Sequence, residues 1–510
     1  MESLSWKRYD AQHKLSDALT LAARSCVDVR AARPVEYLAA YFTKMCTGDE
    51  IRSILTYTLY LPGGTHALQF SLHLLNGMEA ESTALLQPCH GEGSSTADEN
   101  TDSTTAVADL IRQNYIPQLL KCGACDQKRF DEILHHVHAS AENSACVGLS
   151  VVHALSVAAA SAAARCSSLP LFQYLRKSIA PSDDVESFAM PQLCISFFGP
   201  ENLSSARVAV RDVFLIPAMP EGVINRGIIQ KIFAAFRHFS RVHGAATRGD
   251  GSLAFDGFES LAEAVSLAEE AVRAVGLTPV EDVCVGLRLA AAVVPASGKD
   301  NKEPSDVMYA LFPGDVDVSG SQVAEYVREQ LQQRTDFVVY VEDTHCDRDA
   351  AGLRRLQSRM GAALTVSGRE LYLHSGYGRV EQGLSELWTS NVVVEPSGAG
   401  TLSDVYDIAR RVWQHEGRCV SFATHDLGGN AAFVAHLAVG AGGKYICTGG
   451  LLGTAQCDVL SHLMSIQDDL EHTRMLCHEA PKLPKMELPE APTDAVPEIK
   501  RRLEKKKRKK

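Results

Sequence analysis

The sequence predicts an α/β barrel over residues 188–475. From Met190 onward, short apolar runs of the β type alternate with helical stretches, in the order of two strands, two helices and then six strand–helix units. Eight strands of the parallel type at this spacing are expected to close into a barrel, whose chemistry lies at the carboxyl ends of the strands. Those ends fall near Gly199, Ile216, Arg288, Glu342, Arg369, Glu395, His425 and Cys447.

The helices of the barrel are predicted from the stretches between these strands. The two that separate the second strand from the third are expected over residues 222–244 and 258–275. A last helix is expected near residues 455–471, after the eighth strand. Function therefore depends on what the side chains at the strand ends can do together.

Two amphipathic helices are predicted in the first 48 residues. Apolar residues recur at spacings of three and four, which places them on one helix face. A break at residues 30–33 leads to Pro34, a favourable first position for the second helix. The first apolar face consists of Leu15, Leu19, Ala22, Ala23 and Cys26. The second consists of Val35, Tyr37, Leu38, Tyr41, Phe42 and Met45.

The composition limits the classes of protein to which the chain could belong. Its 510 residues allow a barrel, a second domain and terminal extensions. No apolar run reaches about 18 residues, so no membrane-spanning helix is expected, and the N-terminus lacks the pattern of a secretory leader. The 14 Cys residues follow no regular framework, which favours a reduced, cytoplasmic setting.

The C-terminal residues differ from the rest of the chain in charge. The formal net charge is -12, yet nine of the last eleven residues, Lys500–Lys510, are Lys or Arg. We expect a disordered tail over residues 476–510 that serves solubility or nuclear import, or that binds the acidic tails of tubulin. Nucleic acid is not an expected partner, because no aromatic-rich basic face accompanies the run.

One pattern is compatible with a zinc site. Cys122 and Cys125 precede His135, His136 and His138, and the five side chains contain a Cys₂His₂ set. The intervening residues have helical spacing, so the alternative is a packed helix with partly exposed histidines. We favour the helix.

Several segments resemble enolase segments in the right order and at the right spacing. Leu149–Leu175 is similar to the Ala-rich helix of the first enolase domain, and Arg211–Pro217 (RDVFLIP) to the family's QEFMILP strand. Tyr340–Asp343 (YVED) is similar to a strand that ends in IED, and Val392–Thr401 (VVVEPSGAGT) resembles LLLKVNQIGT. Similarity to the enolase family implies an α+β capping domain over residues 49–180 in front of the barrel.

The resemblance also implies a chemistry. Enolases convert 2-phosphoglycerate to phosphoenolpyruvate in glycolysis, with Mg²⁺ neutralising the charge that develops. The positions that match the family's metal ligands, which are Asp, Glu and Asp, hold Arg288, Glu342 and Arg369. Arginine has no acceptor atom and stays protonated, so it cannot ligate a cation. No cofactor is therefore expected, and Mg²⁺ is expected only if the site is active.

The positions that match the catalytic groups are also changed. The family's two lysines match Glu395 and Cys447, and its catalytic acid aligns with Gly251. The glutamate that assists this acid matches Asp212, whereas His425 keeps the residue type of the family. The substrate-binding positions are replaced by Leu203, Asp426 and Leu427.

Three interpretations of the altered site remain open. Arg288 and Arg369 could form an internal salt-bridge network with Glu342, Glu370 and Glu395, which would leave an inactive enolase-like protein. The two arginines could instead bind another anion in a remodelled pocket. The third interpretation is an active phosphopyruvate hydratase with a rearranged site. We favour the first.

The stretch Arg33–Met45 (RPVEYLAAYFTKM) resembles the second helix of the dimerisation and docking domain of protein kinase A type II regulatory subunits. This implies a four-helix bundle of two chains, with a groove for an amphipathic partner helix. The residues expected to dock are Pro34, Val35, Tyr37, Leu38, Tyr41, Phe42 and Met45. The alternative is an ordinary hairpin that packs on the first enolase domain.

The location of the protein is expected from the same resemblance. Such modules, in sequences resembling this one, recur in proteins of cilia and flagella. An enolase-like body behind such a hairpin also resembles the enolase-four-type proteins of sperm flagella. We therefore expect a cytoplasmic scaffold of the ciliary or flagellar axoneme, with axonemal proteins or tubulin as partners and a homodimer formed through the hairpin, the first domain or both.

Overall fold

A computed structural model defines the fold for most of the chain. It describes residues 15–61, 66–86, 97–120, 122–140, 146–180, 187–203, 206–290, 292–293, 307–312, 317–424 and 430–479. His425 and the basic run at the C-terminus, both of which belong to the predictions above, lie outside these ranges.

The N-terminal hairpin consists of two helices, as predicted. Helix α1 spans Leu15–Asp28, and α2 spans Pro34–Thr47 and begins at the predicted proline. Ala22 and Tyr37 are buried. The Ser25 hydroxyl and the Tyr37 phenol oxygen lie 2.5 Å apart in a hydrogen bond that joins the two helices.

In its described residues, the first domain combines a three-stranded antiparallel sheet with four α-helices of nine or more residues and two short helical segments, Ile111–Tyr115 and Ile116–Leu119. Its strands are β1 (Ile51–Tyr60), β2 (His66–Leu74) and β3 (Glu79–Leu85), with β2 in the centre. Its helices are α3 (Ala97–Leu110), α4 (Gln127–His138), α5 (Leu149–Cys166) and α6 (Leu171–Ile179). One face of the sheet packs on α5, which contacts β2 and β3. The α+β capping domain implied by the resemblance is thus confirmed.

Helix α5 is buried along most of its length. Within the described ranges it is the one helix whose length and apolar composition would let it cross a membrane, and 78% of it is buried inside the protein. It therefore packs as a core helix, with the sheet on one side and α4 on another. Helix α2 also contacts it, so the hairpin lies on the first domain.

The barrel has eight strands, and the last pairs with the first. They are β4 (Gln192–Gly199), β5 (Val210–Pro217), β6 (Val283–Leu289), β7 (Val338–Glu342), β8 (Thr365–Gly368), β9 (Asn391–Val394), β10 (Cys419–Ala423) and β11 (Tyr445–Gly449). A short hairpin, Ala246–Thr247 and Leu253–Ala254, extends β4, and a small separate sheet follows β6. The predicted closed barrel is confirmed.

The helices of the barrel follow the predicted order, with two after β5 and at least one after each later strand. They are α7 (Arg226–His243), α8 (Leu261–Ala274), α9 (Gly320–Leu331), α10 (Ala350–Met360), α11 (Glu370–Leu373), α12 (Val380–Ser385), α13 (Pro396–Ala399), α14 (Leu402–Trp413), α15 (Ala431–Gly440) and α16 (Thr454–Thr473).

One prediction about the strands was wrong. β5 runs antiparallel to both of its neighbours, β4 and β6, whereas the other barrel strands are parallel to one another. The connection between β4 and β5, residues 200–209, is only ten residues long, whereas a parallel pair needs a crossover of about a dozen residues or more. Ile216 therefore lies at the opposite end of the barrel, and Asp212, near the start of β5, pairs with Arg288.

Side chains fill the inside of the barrel. Tyr340 lies between Phe214 and Tyr445, with ring centroids 6.0 Å and 5.0 Å away. Cys194 and Cys447, which pair across the closing strands β4 and β11, belong to the same apolar cluster. The residues at the strand ends therefore sit on a closed apolar layer, as expected for a packed barrel.

Asp131 of α4 joins the first domain to the barrel. Its carboxylate accepts hydrogen bonds from the Ser156 hydroxyl (2.6 Å) and from the hydroxyl and N–H of Ser403 (2.7 and 3.0 Å). Ser403 lies in the first turn of α14, whose positive N-terminus favours a carboxylate. Burial raises the pKa of Asp131, although these donors oppose the shift.

Asn430 connects the barrel to the edge of β3. Its Oδ1 accepts a hydrogen bond from the N–H of Thr83 (2.9 Å), and its Nδ2 donates to the Thr83 carbonyl (2.7 Å). β3 is an edge strand, so the amide takes the place of a neighbouring strand at this residue.

His153 of α5 is a third polar group buried at this junction. Its Nδ1 donates a hydrogen bond to the carbonyl oxygen of Gly400 at 2.9 Å. Burial lowers the pKa of His153 to about 4, although this bond and the charge of Asp404 act in the opposite direction. The imidazole is therefore neutral in the folded protein near neutral pH.

Acidification should weaken the fold through His153. The His153 imidazole is protonated near pH 6.5 in the unfolded state, but only near pH 4 in the folded state. The contribution of neutral His153 to the unfolding free energy is therefore complete above about pH 6.5 and is lost as the pH falls towards about 4. Between about pH 7 and about pH 5 the loss should be about 2 kcal/mol of unfolding free energy. Urea unfolding of the wild type and of His153→Asn, whose amide donates without titrating, measures it. Equal pH dependence in both proteins would contradict the assignment.

Candidate functional site

The carboxyl ends of the barrel strands bring most of the predicted site residues together. Five of them lie in or directly after parallel strands: Arg288, Glu342, Arg369, Glu395 and Cys447. Asp212 reaches the same end because β5 runs in the opposite direction. His425, Asp426 and Leu427 are outside the described residues, and Leu203 lies in the connection between β4 and β5.

The guanidinium of Arg288 lies among four carboxylates. Its Nε is 3.1 Å from Glu342 Oε1 and 3.4 Å from Asp343 Oδ2. Its Nη2 is 2.6 Å from Glu370 Oε1, and its Nη1 is 3.8 Å from Asp212 Oδ2. Burial opposes the positive charge, but the carboxylates outweigh it and raise the pKa of Arg288. We call these four acidic residues the carboxylate cage.

Asp343 is a member of the cage that sequence reasoning did not select. Its backbone φ is 51°, a left-handed conformation that aspartate tolerates better than most residues. Its carboxylate accepts hydrogen bonds from the backbone N–H groups of Arg369 (2.8 Å), Glu370 (3.1 Å) and Leu371 (3.4 Å) at the start of α11. The signal was the second acidic residue of YVED, directly after a strand end.

The second guanidinium, that of Arg369, lies near two carboxylate oxygens, one of which Arg288 also contacts. Its Nε lies 2.5 Å from Glu395 Oε1, and its Nη1 lies 3.7 Å from Glu342 Oε1. The contact between Arg369 Nε and Glu395 Oε1 is close enough for an ion pair, but its angle does not meet the requirement for a hydrogen bond. Burial works against the charge, but Glu395 and Glu342 raise the pKa of Arg369 well above its ordinary value.

Glu342 lies between the two guanidiniums and is fully buried. Burial raises the pKa of Glu342 to about 7, although both arginines and a hydrogen bond from Tyr340 lower it. The Tyr340 hydroxyl donates to Oε2, and the Cys447 sulfur lies 3.9 Å from the same oxygen. The predicted residue at the end of β11 thus contacts the network through its thiol.

Two further arginines at the rim belong to the same network. Arg248 Nη1 lies 3.1 Å from Asp212 Oδ1, and its Nη2 lies 3.5 Å from Asp250 Oδ2. Arg211 Nη1 lies 3.4 Å from Glu370 Oε1. With these pairs, the described network contains four guanidiniums and six carboxylates, so carboxylates outnumber guanidiniums by two. This excess of negative charge disfavours the binding of an anion from solution.

The backbone around Gly251 leaves no room for a side chain. Gly251 has a φ of +78°, and a Cβ atom on it would lie 2.3 Å from the carbonyl oxygen of Gly450 and 2.3 Å from the nitrogen of Gly453. The loop containing Gly251 is held in place because its carbonyl accepts a hydrogen bond from the N–H of Leu452 (3.0 Å). Any other residue here would require a backbone shift.

The residues at the strand ends do not fit a magnesium ion. Arg288 and Arg369 stand at two of the three positions that match metal ligands, and each carries a fixed positive charge into the site. Glu342 Oε1, the matching oxygen that remains, already lies between their nitrogen atoms. As the side chains stand, with both guanidiniums among the oxygens, no group of three or more His, Cys, Asp or Glu in the described part of the chain could hold a metal ion.

The zinc alternative is not supported by the positions of its histidines. His135 Nε2 contacts the Thr401 hydroxyl and an Asp404 oxygen, each at 3.2 Å, at the start of α14. His138 Nδ1 lies 2.9 Å from the Tyr115 hydroxyl. The two side chains therefore have different polar partners on the packed helix α4.

The predicted docking residues occupy several environments. Tyr37 is buried; Leu38, Tyr41 and Phe42 are partly buried; Pro34 and Val35 are exposed. The side chain of Met45 lies outside the description. The large apolar side chains left exposed on the hairpin are mostly on α1: Leu19, Leu21 and Val27.

Comparison with known proteins agrees with the fold. The model of the enolase N-terminal domain matches residues 51–175, and that of the enolase C-terminal TIM barrel domain matches residues 226–480, which is half of the chain. These matches cover the α+β domain and most of the barrel. The carboxylate cage lies at the strand ends of this barrel.

Proteins named enolase are similar to the chain over most of its length. The enolase of Haloquadratum walsbyi is 27% identical over 72% of this chain and 87% of its own. That of Anaplasma phagocytophilum is 24% identical over 76% and 83%, and that of Methanothermobacter thermautotrophicus is 23% identical over 73% and 84%. On the match of both domains, the chain belongs to the enolase family.

Proposed function

We propose that the chain is a catalytically inactive enolase-fold protein that serves as a structural or scaffolding component of the ciliary or flagellar axoneme. The observation that carries the assignment as inactive is the pairing of Arg288 and Arg369 with the carboxylates around them. Two permanent cations occupy the positions that match metal ligands, and no cofactor is required.

The chemistry of the family explains why this change abolishes turnover. Removing a proton beside a carboxylate creates a dianion, which must be neutralised in the transition state. In this chain the nearby positive charges are already committed to carboxylates, which outnumber them. Glu395, at the position of the base, is held by Arg369 at 2.5 Å, so it is not poised to take a proton.

Gly251 supplies a second reason that does not depend on charge. An acid that donates a proton to a leaving hydroxide needs a side chain that reaches the substrate. The position that aligns with this acid has none, and the loop that contains Gly450 and Gly453 closes against it. Loss of activity would therefore persist after simple changes at the charged positions.

The scaffolding role in this proposal rests on the two ends of the chain. The hairpin lies on the first domain through α2, and α1 presents exposed Leu19 and Val27 to a partner. We propose that this face binds an amphipathic helix or a second copy of the chain. The basic run Lys500–Lys510 would bind acidic axonemal surfaces such as the tails of tubulin.

The two other candidate functions make different use of the same residues. An anion site would need Arg288 and Arg369 to exchange their carboxylates for the ligand. An active phosphopyruvate hydratase would need Mg²⁺ between the two buried guanidiniums. Each alternative predicts a different result when turnover and ligand-induced thermal stabilisation are measured.

Enolase turnover tests the inactive assignment. The purified chain should show no conversion of 2-phosphoglycerate with or without Mg²⁺, in an assay that detects the Methanothermobacter enolase as positive control. The back-substituted variant Arg288→Asp/Arg369→Asp/Glu395→Lys should also be silent, because Gly251 still lacks an acid. Mg²⁺-dependent turnover by the unmodified chain would contradict the proposal. Silence together with saturable thermal stabilisation by phosphorylated three-carbon acids would favour the anion site.

Sedimentation with isolated axonemes tests the scaffolding assignment. The full chain should bind, and Val27→Asp should weaken binding because it charges the exposed face of α1. Replacing the basic residues of Lys500–Lys510 by Gln should remove the component of binding that falls with salt. Val242→Asp, which changes an exposed valine of α7, serves as a matched control and should bind like the wild type. Equal binding by all four proteins would contradict the proposal.

A further inference from the structure

We propose that Arg288 is a built-in replacement for a bound cation. Its guanidinium occupies the carboxylate cage, and the cage without it would bind a divalent metal ion or a free guanidinium ion. The inference deepens the proposed inactive site, because it says what has taken the place of the metal. The stability of this end of the barrel would then not depend on the concentration of divalent cations.

The contacts of Arg288 are those of a central cation. All three nitrogen atoms of the guanidinium face carboxylate oxygens, at 2.6, 3.1, 3.4 and 3.8 Å. The four oxygens come from four separate residues, which lie on β5, on β7, directly after β7 and at the start of α11. Only 1% of the Arg288 side chain is exposed, so the guanidinium is almost completely shielded from solvent.

Each member of the cage is also held by a partner other than Arg288. Asp212 binds Arg248 at 3.1 Å, and Glu370 binds Arg211 at 3.4 Å. Glu342 accepts from Tyr340, and Asp343 accepts from backbone N–H groups at the start of α11. These partners would keep the acidic walls in position when the guanidinium is removed.

The chemistry of the vacated cage determines what it would accept. Its walls would present carboxylate oxygens, which are the ligands that hard divalent cations such as Mg²⁺, Mn²⁺ and Ca²⁺ prefer. They would also match the planar, forked donors of a guanidinium ion. A monovalent ion such as Na⁺ has neither the double charge of a divalent cation nor the hydrogen-bond donors of guanidinium, so it would neutralise the carboxylates of the cage poorly.

The experiment compares the wild type with Arg288→Ala in thermal unfolding. The wild type should show no shift with EDTA, MnCl₂ or low-millimolar guanidinium chloride. Arg288→Ala should unfold at a lower temperature, and MnCl₂ or guanidinium chloride should raise its Tm by about 5 °C or more over NaCl of equal ionic strength. Calorimetric titration with Mn²⁺ should detect binding to this variant and none to the wild type.

Two control variants separate the cage from general effects. Arg288→Met fills much of the same space without charge, so the added cations should stabilise it less than Arg288→Ala. Arg226→Ala removes an exposed arginine that contacts both oxygens of Asp468 at 2.7 and 2.6 Å, and it should gain no cation response. If Arg288→Ala fails to fold, folding it in the presence of guanidinium chloride or MnCl₂ gives the same readout.

Three results would overturn the inference. They are Mn²⁺ binding by the wild type, a loss of wild-type Tm in EDTA, and an Arg288→Ala protein that responds to no cation beyond the NaCl control. None of them depends on turnover. Enolase activity in the wild type would instead refute the proposed function, so the two failures are distinguishable.

Discussion

Four carboxylates meet around the guanidinium of Arg288 in a place that water scarcely reaches. Burying an unpaired carboxylate costs several kcal/mol, and removing one partner of a buried pair leaves that cost uncompensated. The arrangement of β5, β6, β7 and α11 at this end of the barrel therefore depends on one positive charge. Arg369 has the same role at the end of the neighbouring strand β8, where it pairs with Glu395. Arg288 and Arg369 thus supply positive charge to buried carboxylates at the positions that match the family's metal ligands.

The backbone has adapted together with the side chains. Gly251 accepts the close approach of Gly450 and Gly453, so the loop after β11 seals the position where a catalytic acid would have to stand. The junction between the domains is different. There the carboxylate of Asp131, on α4, accepts a hydrogen bond from the N–H of Ser403 in the first turn of α14, and the imidazole of His153 is neutral. The molecule therefore combines the architecture of the enolase family with ion-paired side chains at the carboxyl ends of its barrel strands.

More of the fold than of the site could be predicted from the sequence. Alternating strands and helices were enough to predict a closed barrel, and the residues at six strand ends were identified from the sequence alone. The direction of β5 was not predicted because apolar periodicity does not report strand direction; the signal is the connection over residues 200–209, which is too short for a parallel crossover. Asp343 and the rim arginine Arg248 were missed because their roles depend on a left-handed turn and on loop positions. The Asn430–Thr83 contact joins residues 347 positions apart, and no local pattern could predict it.

The most direct measurement of the central claim is a crystal structure of the wild type grown with MnCl₂ and 2-phosphoglycerate, with anomalous data at the manganese edge. We predict no anomalous peak inside the barrel, with the Arg288 guanidinium within hydrogen-bond distance of Glu342 and Glu370 as in the present structure. A manganese peak on Glu342, with Arg288 turned out of the carboxylate cage, would contradict the account.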